Sequence, residues 1–207
     1  IQKEQELRNF AEDMSIISRE LEIVEKELEN IAEGSDKFIQ GKLKNLFCSG
    51  KRLRPKLVLL SGLCFSSIND AMINTAIAAE LIHTASLVHD DIIDKSDYRR
   101  NMPTINSVCG NHIAVLAGDF LFAKAFEILS ENHLIEGMRY LVIAIQQMCN
   151  GEVLQAENLF NIHINEATYF EKTRYKTASL LSACCMAGAQ SGGASAKIIK
   201  KFGIYGH

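Results

Sequence analysis

Apolar residues fall into blocks separated by short polar breaks, and most blocks carry the three-and-four spacing of a helix. Leu7, Phe10, Met14, Ile17, Leu21, Val24, Leu28 and Ile31 recur at that spacing with Glu and Lys between them. This predicts an amphipathic packing helix over residues 3–33, suited to a subunit interface. Gly34-Ser35-Asp36 breaks it, and Ser35 or Asp36 caps a short helix over 37–48. Pro55 fits the first turn of a helix expected from Leu57 to Phe65. Residues 69–94 are apolar on nearly every side, from Ala71 and Met72 through Leu87 and Val88, which predicts a buried helix. Residues 95–102 form a polar loop. Further helices are expected over 111–130, over 133–160, and from Asn165 or Thr168 to Gln190. Ser191-Gly192-Gly193 ends the last of these, and a final helix starts near Ala194. No strand pattern is strong. The fold class is therefore all-α, about seven or eight helices in one domain over 1–207.

Composition sharpens this picture. A chain of 207 residues, 47% apolar, buries a substantial core. Two prolines and no tryptophan favour helices. A net charge of -3 gives no expectation of a nucleic-acid partner. The six cysteines form no Cys-x-x-Cys pair, and buried reduced thiols in a cytoplasmic protein are expected. The charged N-terminus gives no expectation of a signal peptide, and no unbroken apolar run reaches the ~18 residues of a membrane span.

The candidate chemistry gathers at the end of the buried segment. Asp90 and Asp94 lie four apart, on one face if the helix continues, and like charges at that spacing repel. A divalent cation reverses that repulsion, and all-oxygen ligands suit Mg2+, or Mn2+, better than zinc. Magnesium takes one or two carboxylates and leaves its other positions to water and phosphates, so Asp-x-x-x-Asp followed by Arg99-Arg100 reads as a diphosphate site. Taken alone, such a pattern is more often a solvated acidic helix end. Lys51, Arg52 and Arg54 crowd the start of another helix, itself an anion site, and read as a second diphosphate site rather than a plain basic loop. His83, seven residues before Asp90, lies on nearly the same face, either as a core residue or as a donor to phosphate oxygen. His89 is left structural. Asp119 is expected to make a buried hydrogen bond. Gln146, Gln147, Glu152 and Gln155 face either the cavity or solvent. The acidic and basic motifs are expected to converge on one cavity among the helices.

From about residue 35 onward the chain resembles the trans-isoprenyl diphosphate synthases, or polyprenyl synthetases. Gly50-Lys-Arg-Leu-Arg-Pro55 looks like that family's basic motif. Glu80-Leu-Ile-His followed by Asp90-Asp-Ile-Ile-Asp94 looks like its first aspartate-rich motif. Arg99-Arg100-x-x-Pro103-Thr104, Ala117-Gly118-Asp119 and Lys176-Thr177 follow in the family's order. The resemblance implies an isoprenoid-synthase-type helical bundle around a central cavity. It also implies head-to-tail condensation of isopentenyl diphosphate with an allylic diphosphate. Asp90 and Asp94 would hold Mg2+ with Asp91 assisting, and Lys176 would join them in the chemistry. Lys51, Arg54, His83 and Arg100 would bind isopentenyl diphosphate, Arg99, Lys176 and Thr177 the allylic diphosphate, and Arg52 would stand among the substrate-binding residues without assignment to either. Ala85 and Ser86 would form the floor under the growing tail; both are small, so a medium- or long-chain product is expected. The family's second aspartate-rich motif is absent, and the chain is expected to be the N-terminal two thirds of a longer domain, inactive alone. A homodimer is expected, with a heterodimer as the alternative, and a transient membrane contact during product release. The competing expectation is a non-catalytic or regulatory subunit of a heteromeric synthase.

Overall fold

A computed structural model describes residues 2–48, 50–161 and 163–207, with side chains from residue 17 onward. Ten α-helices follow one another among the described residues: α1 (Gln2–Glu33), α2 (Lys37–Phe47), α3 (Leu53–Leu63), α4 (Asp70–Ile93), α5 (Ile105–Cys109), α6 (Asn111–Glu131), α7 (Ile135–Glu157), α8 (Glu166–Thr173), α9 (Ser179–Ser191) and α10 (Ala196–Gly206). The all-α expectation holds. A single π-helical turn, Arg174–Ala178, joins α8 to α9.

The axis of the molecule is α4. Met72, Ala76, Ile77, Ala79, Leu81, Ile82, Ala85 and Val88 are buried around its whole circumference, against α6, α3, α9 and α1. Its small residues let the neighbours approach closely. By length and composition α4 alone, among the described residues, could cross a membrane, although polar residues interrupt its apolar run; 67% of its apolar stretch is buried inside the fold. Asn69 caps it, accepting a hydrogen bond from Met72 N at 3.0 Å. The amphipathic face of α1 buries Ile17, Val24 and Leu28 as expected; Leu7, Phe10 and Met14 lie outside the described side chains, as Ser49 of the basic loop lies outside the described residues.

Three local departures from the expected elements bear on the site. Helix α3 begins at Leu53, four residues before the expected start, because Arg52 takes a left-handed N-cap conformation with φ 50°. The polar loop after α4 contains a hairpin, β1 (Tyr98–Arg99) against β2 (Met102–Pro103), with Tyr98 opposite Pro103. Its tip residues Arg100 and Asn101 both have positive φ, 51° and 65°, as a two-residue type I′ turn requires. The helix expected from 165 to 190 is interrupted by the π turn. Thiol burial is also corrected: Cys184 and Cys185 are buried, whereas Cys48, Cys64 and Cys149 are exposed.

Candidate active site

Two opposite electrostatic mismatches meet here. The C-terminal end of α4, where exposed carbonyls already carry partial negative charge, holds Asp90, Asp91 and Asp94 with no basic residue in its last turn. The N-terminal end of α3, partially positive, holds Arg52 and Arg54 with no acid in its first turn. Each end is worse off than a helix with complementary charges, and each is relieved by the ligand of opposite sign.

The expected single cavity is two adjoining ones. The first, about 590 Å³, is lined by Lys51, Arg52, Arg54, Arg99 and Arg100, together with Glu80, Asp91 and the α2 residues Lys42 and Asn45. The second, about 430 Å³, joins Asp90, Lys176, Thr177 and Glu152 to an apolar wall that includes Phe122, Ile145, Met148, Val153 and Leu180. Arg54, His83 and Leu87 line both and so form the shared wall.

In the second cavity, burial pushes the Asp90 carboxyl up to about 6; Glu152 and Asp94 add to the rise, and Lys176 and Arg99 oppose it. Lys176 ion-pairs with Glu152. Burial disfavours its charge, but Glu152, Asp90 and Asp94 outweigh that and hold its ammonium above the usual range. The backbone approach that brings Lys176 here depends on Gly151, where a Cβ would lie 2.9 Å from Lys176 N. Glu152 therefore faces the site, as one of the two expectations for it had it. Asp94 lines neither cavity, although its charge is felt at Asp90. Among the described residues no three His, Cys, Asp or Glu gather closely enough to hold an ion by themselves. The donor set still fits a hard divalent ion that shares its coordination with phosphate: carboxylate oxygens whose mutual repulsion such a charge would cancel.

In the first cavity, Arg99 is held by Asp91, with Nε 2.9 Å from Oδ1 and Nη2 also 2.9 Å from Oδ1. Asp91 is thus turned to the cationic cavity, away from Asp90. Arg52, grouped with the substrate ligands from sequence, has its guanidinium bound to Glu80 and to the Phe47 carbonyl. Arg54 Nε is buried and finds no hydrogen-bond partner among the described residues, and burial draws the guanidinium below its ordinary pKa. His83 is pulled down to about 3, mainly by burial and then by Arg54, Arg100 and Arg99, so it is neutral near pH 7. Of the proposed floor pair, Ser86 lines the second cavity and Ala85 is buried in the core, lining neither.

Sequence reasoning missed Glu80, Lys42, Asn45 and Phe122. Glu80 had a signal: a lone acid inside an apolar helix needs a partner. Asp119, expected to be buried, is 62% exposed and stands 3.6 Å from His89 Nε2. His89 packs on Phe122, with ring centroids 5.8 Å apart, beside Gly118, where a side chain would collide with its ring.

A family model described as polyprenyl synthetase matches residues 36–207. The chain is 38% identical over 168 residues to the heptaprenyl diphosphate synthase component 2 of Geobacillus stearothermophilus, a match covering 81% of this chain and 52% of the relative. The crystal structure of heptaprenyl diphosphate synthase from Staphylococcus aureus superposes with a TM-score of 0.84 at 32% identity, over 92% of this chain and 61% of that one. A polyprenyl synthase from Caulobacter crescentus CB15, crystallised with calcium and isoprenyl diphosphate, gives 0.82 at 33% identity, over 97% and 59%. The chain thus spans about half the length of the curated relative and about three fifths of the solved ones.

Proposed function

The chain belongs to the polyprenyl synthetase family, and from that premise we propose that it carries the two substrate sites of a polyprenyl diphosphate synthase, which joins isopentenyl diphosphate head to tail to an allylic diphosphate. The observation that carries this reading is the pair of cavities. One is cationic and fits a diphosphate; the other sets carboxylates at one end of an apolar chamber and fits a diphosphate with a hydrocarbon tail.

Lys51, Arg54, Arg100 and the neutral His83 bind isopentenyl diphosphate, the histidine as an uncharged donor, while Arg99, fixed by Asp91, completes the cationic wall. Asp90 and Asp94 are the residues to hold Mg2+, which supplies positive charge to the leaving diphosphate. Lys176 and Thr177 donate to that same diphosphate. Its C–O bond breaks with the electron pair leaving on oxygen. Phe122, Ile145, Met148 and Leu180 keep water from the allylic cation. The isopentenyl double bond forms the new C–C bond, and the proton lost from the adjacent carbon goes to the departing diphosphate. The small Ser86 at the chamber wall supports a medium- or long-chain product. The six free thiols fit a reducing cytoplasm.

A second reading has a specific support: the Geobacillus relative is named a component, and a protein of that kind would work beside a partner subunit. The deciding experiment incubates the full-length protein with Mg2+, labelled isopentenyl diphosphate and each allylic primer, then sizes the dephosphorylated products. Long labelled prenols are expected. No incorporation by the folded protein alone, restored by adding a partner, supports the component reading; none under either condition overturns both.

A further inference from the structure

Phosphate binding does not account for how Arg52 is held. It sits at the N-cap of α3 with φ 50° and ψ 39°, a region that residues other than glycine avoid. Its Nη1 donates to Glu80 Oε1 at 3.0 Å, and its Nη2 donates to the Phe47 carbonyl. Its Nε stands 3.4 Å from Glu25 Oε1. One side chain thereby ties the end of α2, the start of α3 and the middle of α4 together, with α1 alongside. Arg52 and Glu80 are both buried, at 7% and 5% exposure.

Gly50 shows how tightly this is built. Its φ is +147°, and a Cβ there would lie 3.2 Å from Arg52 Nη1 and 3.4 Å from Arg100 Nη1. Two guanidiniums converge on the one residue with no side chain. Glu80 is the second puzzle: a carboxylate lining a cavity rich in cations opposes an incoming anion. Its place there is explained if it acts on the loop rather than on the ligand.

We propose that Arg52 and Glu80 are positioning residues: their buried ion pair locks the basic loop so that Lys51, Arg54 and Arg100 address one diphosphate, and Arg52 itself does not touch the substrate. This rests on the diphosphate reading of the first cavity and adds to it a division of labour among its arginines. Truncating either partner leaves the other charged and buried, with the left-handed turn unsupported.

The test turns on a sign. If Arg52 were a phosphate ligand, Glu80→Gln would release it and remove a repelling charge, and affinity would rise. A positioning pair demands the opposite: isopentenyl diphosphate binds about tenfold or more weakly, since small misplacements of binding groups are costly. The measurement is isothermal titration of isopentenyl diphosphate into the full-length protein without an allylic partner, followed by steady-state kinetics. KM for isopentenyl diphosphate should rise while KM for the allylic diphosphate stays near wild type. The double variant Arg52→Met/Glu80→Gln should bind no worse than the weaker single one. Tighter or unchanged binding by Glu80→Gln overturns the proposal. If that variant does not fold, Glu80→Asp decides, because it keeps the charge and only withdraws the carboxylate: weaker binding supports positioning, and wild-type binding overturns it. A wild-type protein that binds no isopentenyl diphosphate removes the functional reading itself, and this proposal with it.

Discussion

At the scale of single residues, the site is a set of charges in unfavourable places. Asp90 is the clearest case. Its carboxyl prefers the protonated form in the folded chain up to a pH of about 6, against 3.8 when free of the fold. Above that pH the ionised group weakens the fold when no cation is present. In metal-free solution at pH 8, Asp90→Asn should therefore stabilise the chain by about 2 kcal/mol once solvent screening is allowed for, read as a rise in thermal midpoint. Prenyl transfer by the same variant should be nearly lost. A lower midpoint would contradict the assignment of burial and carboxylate repulsion as the cause. Ser86 supports a second prediction. It lines the apolar chamber next to Leu87, so Ser86→Phe should shorten the product, measured by chromatography of the prenols; unchanged lengths would remove it from the floor. The charges themselves were legible in the sequence, because Asp90, Asp94, Lys51 and Arg54 stand out against apolar neighbours. What Arg52, Asp91 and Glu80 are bonded to was not, since Arg52 and Glu80 are 28 positions apart and only the packing of α3 on α4 joins them.

At the scale of elements, legibility follows backbone regularity. Helices α4, α6 and α7 lie within a few residues of where the spacing of apolar positions puts them. Errors cluster where regular hydrogen bonding or negative φ is lost: the left-handed start of α3, the positive-φ hairpin tip at Arg100-Asn101, and the π turn at Arg174–Ala178. The first is bonded to Glu80 of α4 and the last packs on α7, contacts that the local spacing of apolar residues does not reveal. The π turn carries Lys176 and Thr177, and its extra residue re-aims the segment that a regular helix would direct elsewhere. It is pressed against α7 at Gly151, where a Cβ would meet Tyr175 Cβ at 3.0 Å. Gly151→Ala should destabilise the chain by about 1–3 kcal/mol, as overpacking does. Because the backbone of Lys176 must move, turnover should fall further than stability, which urea denaturation and steady-state rates compared on one preparation would show.

At the scale of the whole molecule, two buried groups act on acid stability with opposite sign. His83 stays neutral down to a pH of about 3 in the fold but takes up a proton near 6.5 when unfolded, so it weakens the fold as the pH drops from 6.5 toward 3. Asp90 strengthens it as the pH drops from about 6 to 3.8. The two partly cancel in the wild type. His83→Gln should match wild type at pH 8 and exceed it at pH 4, while the advantage of Asp90→Asn at pH 8 should be gone by pH 4. Thermal midpoints across that range test both signs at once.

The partition of Arg54, His83 and Leu87 has a consequence for how such a molecule diversifies. Each of its three side chains is a boundary of both chambers, so no substitution there can remodel one without thinning or thickening the other. Widening the apolar chamber from this side thins the wall of the cationic one, and tightening the cationic one crowds the apolar chamber. A substitution that reshapes one chamber alone has to fall on a wall that only one chamber owns, such as Ser86, Phe122 or Ile145.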